Sequence, residues 1–255
     1  MDKGSNPSCY LGTSNIVLPV ANKQLFPEAF RNKSRLTYYS SLFNSLEVNS
    51  SFYKIPLAKT IIRWASEVPG NFRFTFKMNK DITHDKTMSC DPYKIERFMQ
   101  IINNAGQKKG SLLIQFPAGR QYNLEYLKNL LFIVQQNNEG WDVCVEFRHL
   151  SWYRDTTYRL LETSKTTIVI HDMSKSATPS DALWGNVIYL RFHGPKGDYK
   201  GGYGIDTLKG YADKIKSWLK NKKIIYTYFN NTMGSAVFDA LVLQELVGSK
   251  IIHQI

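Results

Sequence analysis

Short apolar, β-prone runs alternate along this chain with longer stretches whose apolar residues recur at helical spacing. Eight runs read as strands: residues 8–12, 45–49, 72–77, 111–116, 142–147, 166–170, 187–191 and 224–229. Most are continuous rather than alternating, as expected for strands buried on both faces. Between them Leu36, Tyr39 and Phe43 keep a helical stripe, as do Ala58, Ile61, Ile62 and Ala65. Ile95, Phe98, Met99 and Ile102 follow, then Leu124, Leu127, Leu131 and Val134. Leu208, Tyr211, Ile215, Trp218 and Leu219 form another stripe, and Ala236, Ala240, Leu243 and Val247 the last. A shorter helix is expected after Trp152. Residues 171–186 show no helical pattern, which predicts an irregular sixth crossover. Alternating strands and helices favour a parallel sheet, and eight repeats favour its closure. The expected fold is therefore α/β: a parallel, eight-stranded (β/α)8 TIM barrel. It forms a single domain over residues 1–255, with the barrel at about residues 8–247.

Polar residues gather where these runs end. In a barrel the C-terminal ends of all strands share one face, and side chains there build the site. The first run ends in Gly12-Thr13-Ser14, and the second carries Glu47 and Asn49. The third ends in Lys77, with Thr83-His84 beyond it, and the fourth in Gln115. The fifth supplies Glu146, Arg148 and His149, and the sixth runs into His171-Asp172. The seventh contributes Arg191 and His193, and the eighth Asn230 and Asn231. Alternation along a strand gives Glu47 and Asn49 one parity, Glu146 and Arg148 another, and Arg191 and His193 a third. Charges buried in a barrel mouth must pair. Glu146 with Arg148 or Arg191, and Glu47 with Lys77, are the expected pairs. His149 is expected to point outward and cap the next helix, and Trp152 to serve packing.

Charge adds a direction. The chain carries 33 basic and 21 acidic residues, a net charge of +12, which favours anionic partners. Lys209, Lys214, Lys216, Lys220, Lys222 and Lys223 surround one amphipathic stripe and read as its solvated face. No GxGxxG follows a strand and no GxxxxGK[ST] occurs, which weakens a dinucleotide or P-loop assignment. No apolar run approaches the ~18–20 residues of a membrane helix, and residues 1–7 are polar. Cys9, Cys90 and Cys144 are odd in number and widely spaced, so neither a disulfide framework nor a CxxC metal site is indicated. A cytoplasmic protein with no membrane partner is the expectation.

The ordered set of motifs resembles the DUF72, or YecE-like, proteins, a family of uncharacterised TIM barrels. The resemblance runs from Tyr10 to Leu246. It is carried by Gly12-Thr13-Ser14, Glu47-Val48-Asn49-Ser50-Ser51-Phe52-Tyr53, and Phe76-Lys77 with Ile82-Thr83-His84. Gln115-Phe116-Pro117, Val145-Glu146-Phe147-Arg148-His149 and Ser151-Trp152 follow. Arg191-Phe192-His193-Gly194, Tyr199, Tyr203 and Tyr228-Phe229-Asn230-Asn231 complete it. Where the family usually continues its first motif with Gly-Trp, this chain has Asn15-Ile16. The resemblance implies the barrel fold and supplies no activity. Endonuclease IV and xylose isomerase barrels are similar at the level of fold only.

Several chemistries fit such a rim. Lys77, His84, Arg148, Arg191 and His193 suit an anionic ligand: a phosphate ester, a nucleotide or nucleic acid. The glycine-rich stretch 194–204 lies where barrels often hold phosphate, and Tyr199 and Tyr203 are placed to stack on a base or sugar. Glu47 and Glu146 could instead act as acid and base on a carbohydrate. In the enzymatic case Glu47, Glu146, Lys77 and His193 are the catalytic candidates. Asn49, Arg148, Arg191, Asn230, Asn231, His84, Asp172 and Tyr199 would bind ligand. No cofactor is predicted. A divalent metal on Glu47, Glu146, His171, Asp172 and His193 is an alternative, as in metal-dependent isomerases and phosphodiesterases, though no HxH or HExxH spacing occurs. Schiff-base chemistry at Lys77 ranks last, because a neighbouring Glu47 would raise its pKa. A hydrolase or an isomerase fits, and so does a non-catalytic binder of nucleic acid. A self-satisfied ring of salt bridges needs no reaction at all.

Overall fold

The computed structural model describes residues 9–179 and 184–248. Ser8, expected to open the first strand, lies outside them, as do residues 1–7, 180–183 and 249–255. The strands are β1 (Cys9–Thr13), β2 (Ser45–Val48), β3 (Arg73–Lys77), β4 (Lys109–Gln115), β5 (Asp142–Glu146), β6 (Thr167–His171), β7 (Val187–Phe192) and β8 (Ile224–Phe229). Each matches its expected run to within two residues. All pair in parallel in the order β1-β8-β7-β6-β5-β4-β3-β2.

Closure between β1 and β2 uses little backbone ladder. At the top, Ser14 bridges Glu47, and the Asn15 amide donates to the Glu47 carbonyl at 2.8 Å. Below, two side chains substitute for the missing strand contacts. Asn44 accepts from the Leu11 amide (2.9 Å) and donates to the Cys9 carbonyl (2.8 Å). The Tyr39 hydroxyl accepts from the Thr13 amide (2.7 Å) and donates to the Ser45 carbonyl (3.0 Å). Gly12 permits this approach, since a Cβ there would lie 2.0 Å from the Ser45 carbonyl oxygen.

Helices α1 (Arg35–Leu42), α3 (Ala58–Ser66), α5 (Pro92–Ile102), α6 (Leu124–Gln136), α7 (Asp155–Thr163), α8 (Ile205–Lys220) and α9 (Ala236–Val247) realise the expected stripes. One position departs: Ile62 faces solvent while Ile61 is buried. Single turns α2 (Ser50–Tyr53) and α4 (Lys80–Thr83) follow β2 and β3 directly and were not visible as stripes. The described residues of the β6–β7 crossover carry no helix. Thr178 holds that segment back on β6, its hydroxyl donating to the Val169 carbonyl at 2.7 Å.

Two apolar regions result. A large one fills the space between strands and helices. A smaller one lies inside the barrel, built from Tyr10, Leu113, Cys144, Val169, Tyr189, Tyr226 and Tyr228. The interior is thus plugged by tyrosines whose hydroxyls need partners. Tyr228 finds Thr75 (2.7 Å) and Ser45, and Tyr226 donates to Asp142 (2.9 Å). Charged residues crown this plug.

Candidate functional site at the barrel mouth

Arg191 stands at the centre of the crown and is fully buried. Its Nε and Nη2 donate to the Glu47 carboxylate at 2.8–3.2 Å. Its Nη1 donates to Glu146 at 2.9 Å. Arg148 Nε binds the other Glu146 oxygen. Ser14 and Tyr189 donate hydroxyl protons to Glu47. Burial opposes ionisation of Glu47, but Arg191, Ser14 and Tyr189 outweigh it and hold the carboxyl below its ordinary range. Burial likewise opposes ionisation of Glu146, and Arg148 and Arg191 hold it well below. Two carboxylates thus balance two guanidiniums.

His193 sits against the same arginines, its Nε2 2.9 Å from Arg148 Nη2 and 3.3 Å from Arg191 Nη1. Guanidinium only donates, so Nε2 accepts and the ring proton lies on Nδ1. Nδ1 faces Asp172 at 3.2 Å. Burial lowers the His193 pKa despite Asp172, so the ring is a neutral spacer. Asp172 also accepts from the His193 amide (2.8 Å) and the Tyr203 hydroxyl. His171 is buried, its pKa lowered to about 4 by that burial, with Nε2 2.8 Å from the Phe147 carbonyl oxygen.

These contacts revise several expectations. Arg191 and Arg148 are engaged by the glutamates, and His193 by the two arginines and Asp172, so all three are tied into one network. Lys77 does not pair with Glu47; its ammonium is out-competed by the bidentate fork of Arg191. Glu47 and Glu146 are ionised and covered, which leaves no carboxylic acid to protonate a glycosidic oxygen. The five side chains considered for a metal form no metal-holding cluster among the described residues; their donor atoms bond to guanidiniums, hydroxyls, backbone atoms and each other. Tyr203 packs its ring against Phe192 and Phe229 and ties its hydroxyl to Asp172, which gives it a bracing role in this loop.

The glycine-rich loop after β7 is built rather than loose. Gly194 has a φ of +93°, and a Cβ there would lie 2.3 Å from the Lys200 carbonyl oxygen. Asn231 donates to the Gly201 carbonyl (2.9 Å) and to Asp239 (2.8 Å), clamping this loop to the one after β8. Asn231 is therefore a brace. Asn230 follows β8 at the rim, its amide bonded to the Phe192 carbonyl at 2.7 Å. Tyr199, half-buried, meets the His193 ring edge-on at 5.6 Å. Asn49 accepts no bond at its buried Oδ1, and its amide donates to Asn15 Oδ1 at 3.1 Å. His149 caps the short turn at Leu150–Trp152 by accepting from the Ser151 amide, rather than α7, which starts behind Arg154; Trp152 stacks on Phe147, as expected of a packing residue.

The remaining cations lie on the β3–β4 side. Lys77 Nζ donates to Gln115 Oε1 at 2.6 Å and rests 4.1 Å from the centre of the Phe52 ring. Burial, with Arg191 nearby, lowers its pKa to about 7. Phe52 also meets the His84 ring, and burial lowers His84 to about 4. Beyond them a groove of about 670 Å³ runs between the loops after β3 and β4, lined by His84, Lys86, Met88, Arg120, Tyr122 and Asn123 among others. Arg120 is only 8% exposed and makes no ion pair among the described residues. It donates to the Asp85 carbonyl, lies over the Tyr126 ring, and has no acceptor at Nε. The Asp85 carboxylate turns to its own loop, where Thr87 and Ser89 bind it. Arg120 was missed from sequence because it lies five residues past the end of β4, where no periodicity assigns a direction.

Relatives agree with this architecture. The UPF0759 protein YunF of Bacillus subtilis (strain 168) is 24% identical over 248 residues, covering 84% of this chain and 86% of that protein. The UPF0759 protein YecE of Escherichia coli (strain K12) is 30% identical over 84 residues, covering 32% of this chain and 30% of that protein. A DUF72 family crystal structure from Thermotoga maritima MSB8 superposes with a TM-score of 0.77 at 25% identity, covering 94% of this chain and 99% of that one. Another, from Enterococcus faecalis V583, gives 0.78 at 19% identity over 95% and 96%. The family model described as "Protein of unknown function DUF72" matches residues 10–254, and this chain belongs to that family.

Proposed function

We propose that the protein binds an anionic small molecule, a phosphate ester by preference, in the groove between the β3 and β4 loops. One observation carries this: Arg120 is a buried guanidinium with no carboxylate partner among the described residues, on the wall of a groove that also presents Lys86 and His84. Buried charges are ordinarily paired, and an unpaired one at a groove wall is a ready anion site. The groove has the size of a small-ligand site. Elsewhere in the mouth both guanidiniums are already matched by glutamates, which leaves this side with the unmatched cations. The net charge of +12 would help draw an anion in. A cytoplasmic place of action goes with this proposal.

Calorimetry with glycerol phosphate and with a short single-stranded oligonucleotide tests it. Glycerol phosphate should bind, and Arg120→Gln and Lys86→Ala should each weaken binding about tenfold or more, a loss of about 1.4 kcal/mol. A shallow salt dependence is expected for the ester. A steep slope with the oligonucleotide, and no binding of the ester, would instead make the partner nucleic acid. Binding unchanged in both variants would overturn the proposal.

A further inference from the structure

Lys77, like Arg120, is left by the charge network without a counter-ion among the described residues. Glu47 and Glu146 are its nearest carboxylates electrostatically, yet both are bound by guanidiniums. The amine's surroundings are an amide oxygen (Gln115), an aromatic face (Phe52), and the charges of Arg191, Arg148, Glu47 and Glu146. His84 stands across the Phe52 ring. Desolvation together with a neighbouring guanidinium is the environment that keeps a lysine amine neutral and nucleophilic. Gln115 can accept one N–H of a neutral amine and so hold it in place while the lone pair stays available. Lys77 closes β3 at the mouth and is intermediate rather than fully buried as a residue, which places its side chain at the rim.

We propose that Lys77 condenses with the carbonyl group of an anionic aldehyde or ketone whose charge rests in the Arg120–Lys86 groove. The choice of an anionic substrate rests on the function proposed above; the amine chemistry does not. The nitrogen lone pair adds to the carbonyl carbon while the C=O π pair moves to oxygen. A proton passes from nitrogen to that oxygen, giving a carbinolamine. Water then leaves with the C–O bond and the second N–H proton, giving the imine: R–NH2 + O=CR′R″ → R–N=CR′R″ + H2O. No oxidant or reductant is required.

Reductive trapping on the full chain is the test. The protein is treated with glycolaldehyde phosphate, or with uncharged glycolaldehyde, in the presence of cyanoborohydride, and the adduct is located by peptide mass mapping. With its pKa lowered to about 7, Lys77 should carry far more neutral amine at pH 7 than an ordinary lysine, which has less than about one part in a thousand. A single adduct should form on Lys77 about a hundredfold faster than on surface lysines, and Lys77→Arg should abolish it. Since that variant could also disturb folding, the pH profile of wild-type labelling is a second readout. Its midpoint should lie near pH 7 at Lys77, whereas surface lysines become reactive only at much higher pH. Arg120→Gln should remove the advantage of the phosphorylated probe and spare the reaction with glycolaldehyde. Equal labelling of Lys77 by both probes would keep the imine and discard the anion groove. Ester binding in calorimetry with adducts scattered over surface lysines would keep the groove and overturn the imine.

Discussion

Arg191 and Glu47 face each other at the centre of the barrel mouth as a fully buried pair, with Nε and Nη2 of the one on both carboxylate oxygens of the other. The third guanidinium nitrogen reaches Glu146. Removing one member of such a network strands the others in low dielectric, which costs about 3–5 kcal/mol. Arg191→Met should therefore lower the melting temperature by about 10 °C, given about 2–4 °C per kcal/mol at this size. Arg191→Lys should recover little, because a point charge cannot span two carboxylates. In urea titrations, Glu47→Gln combined with Arg191→Met should cost less than the sum of the single changes. Strict additivity would mean that the two residues act independently.

Acid should expose the same network. Glu47 and Glu146 ionise at lower pH in the folded chain than in the unfolded one, whose ordinary glutamate value is near 4.5. Their contribution is then complete above about pH 5 and is lost as pH falls through the folded values. The unfolded state takes up protons first, so stability should drop steeply below about pH 5. Urea midpoints across that range should show the drop in the wild type and a shallower one in Glu47→Gln. Identical slopes would assign the acid sensitivity to other carboxylates.

One hydroxyl carries part of the seam between β1 and β2. Tyr39 supplies an acceptor to the Thr13 amide and a donor to the Ser45 carbonyl, both buried. Tyr39→Phe keeps the ring and orphans two backbone groups, so it should destabilise by about 1–3 kcal/mol. Hydrogen exchange should accelerate at Thr13 more than at β4 or β5 amides. Uniform acceleration would show that the seam opens only with the whole barrel.

How much of this was legible in the chain differs from residue to residue. Continuous apolar runs located every strand, because strands buried on both faces tolerate little else. Parity then brought Glu47, Glu146, Arg148, Arg191 and His193 to one end. Partner choice was not legible. Whether Glu47 takes Lys77 or Arg191 depends on reach and fork geometry across the barrel, which no spacing encodes. Tyr189 was hidden for a different reason: in a β-prone run it reads as core, and only the closed barrel aims its hydroxyl at Glu47. The single turns α2 and α4 are too short to show a period, yet they deliver Phe52 and His84 beside Lys77.

Asn15 and Ile16, where the resembled family usually carries Gly-Trp, set a last expectation. Asn15 has a φ of +62°, the left-handed region that glycine tolerates best and asparagine next. The exchange therefore keeps the backbone and adds a clasp, since the Asn15 side chain accepts from the Asn49 amide. Ile16 has no such compensation. It lines an apolar hollow of about 180 Å³ with Leu36, Leu46, Val48 and Trp64. An indole carries more apolar surface than a sec-butyl group, and filling a pre-existing hollow commonly stabilises by about 0.5–2 kcal/mol. Ile16→Trp should thus raise the melting temperature by a few degrees, while Asn15→Gly should lower it slightly through loss of the clasp. Thermal melts of the two single variants and the double check both signs. A lower melting temperature for Ile16→Trp would mean that the hollow has adapted in shape to the smaller side chain and resists the indole, the outcome expected where close-packed walls cannot shift.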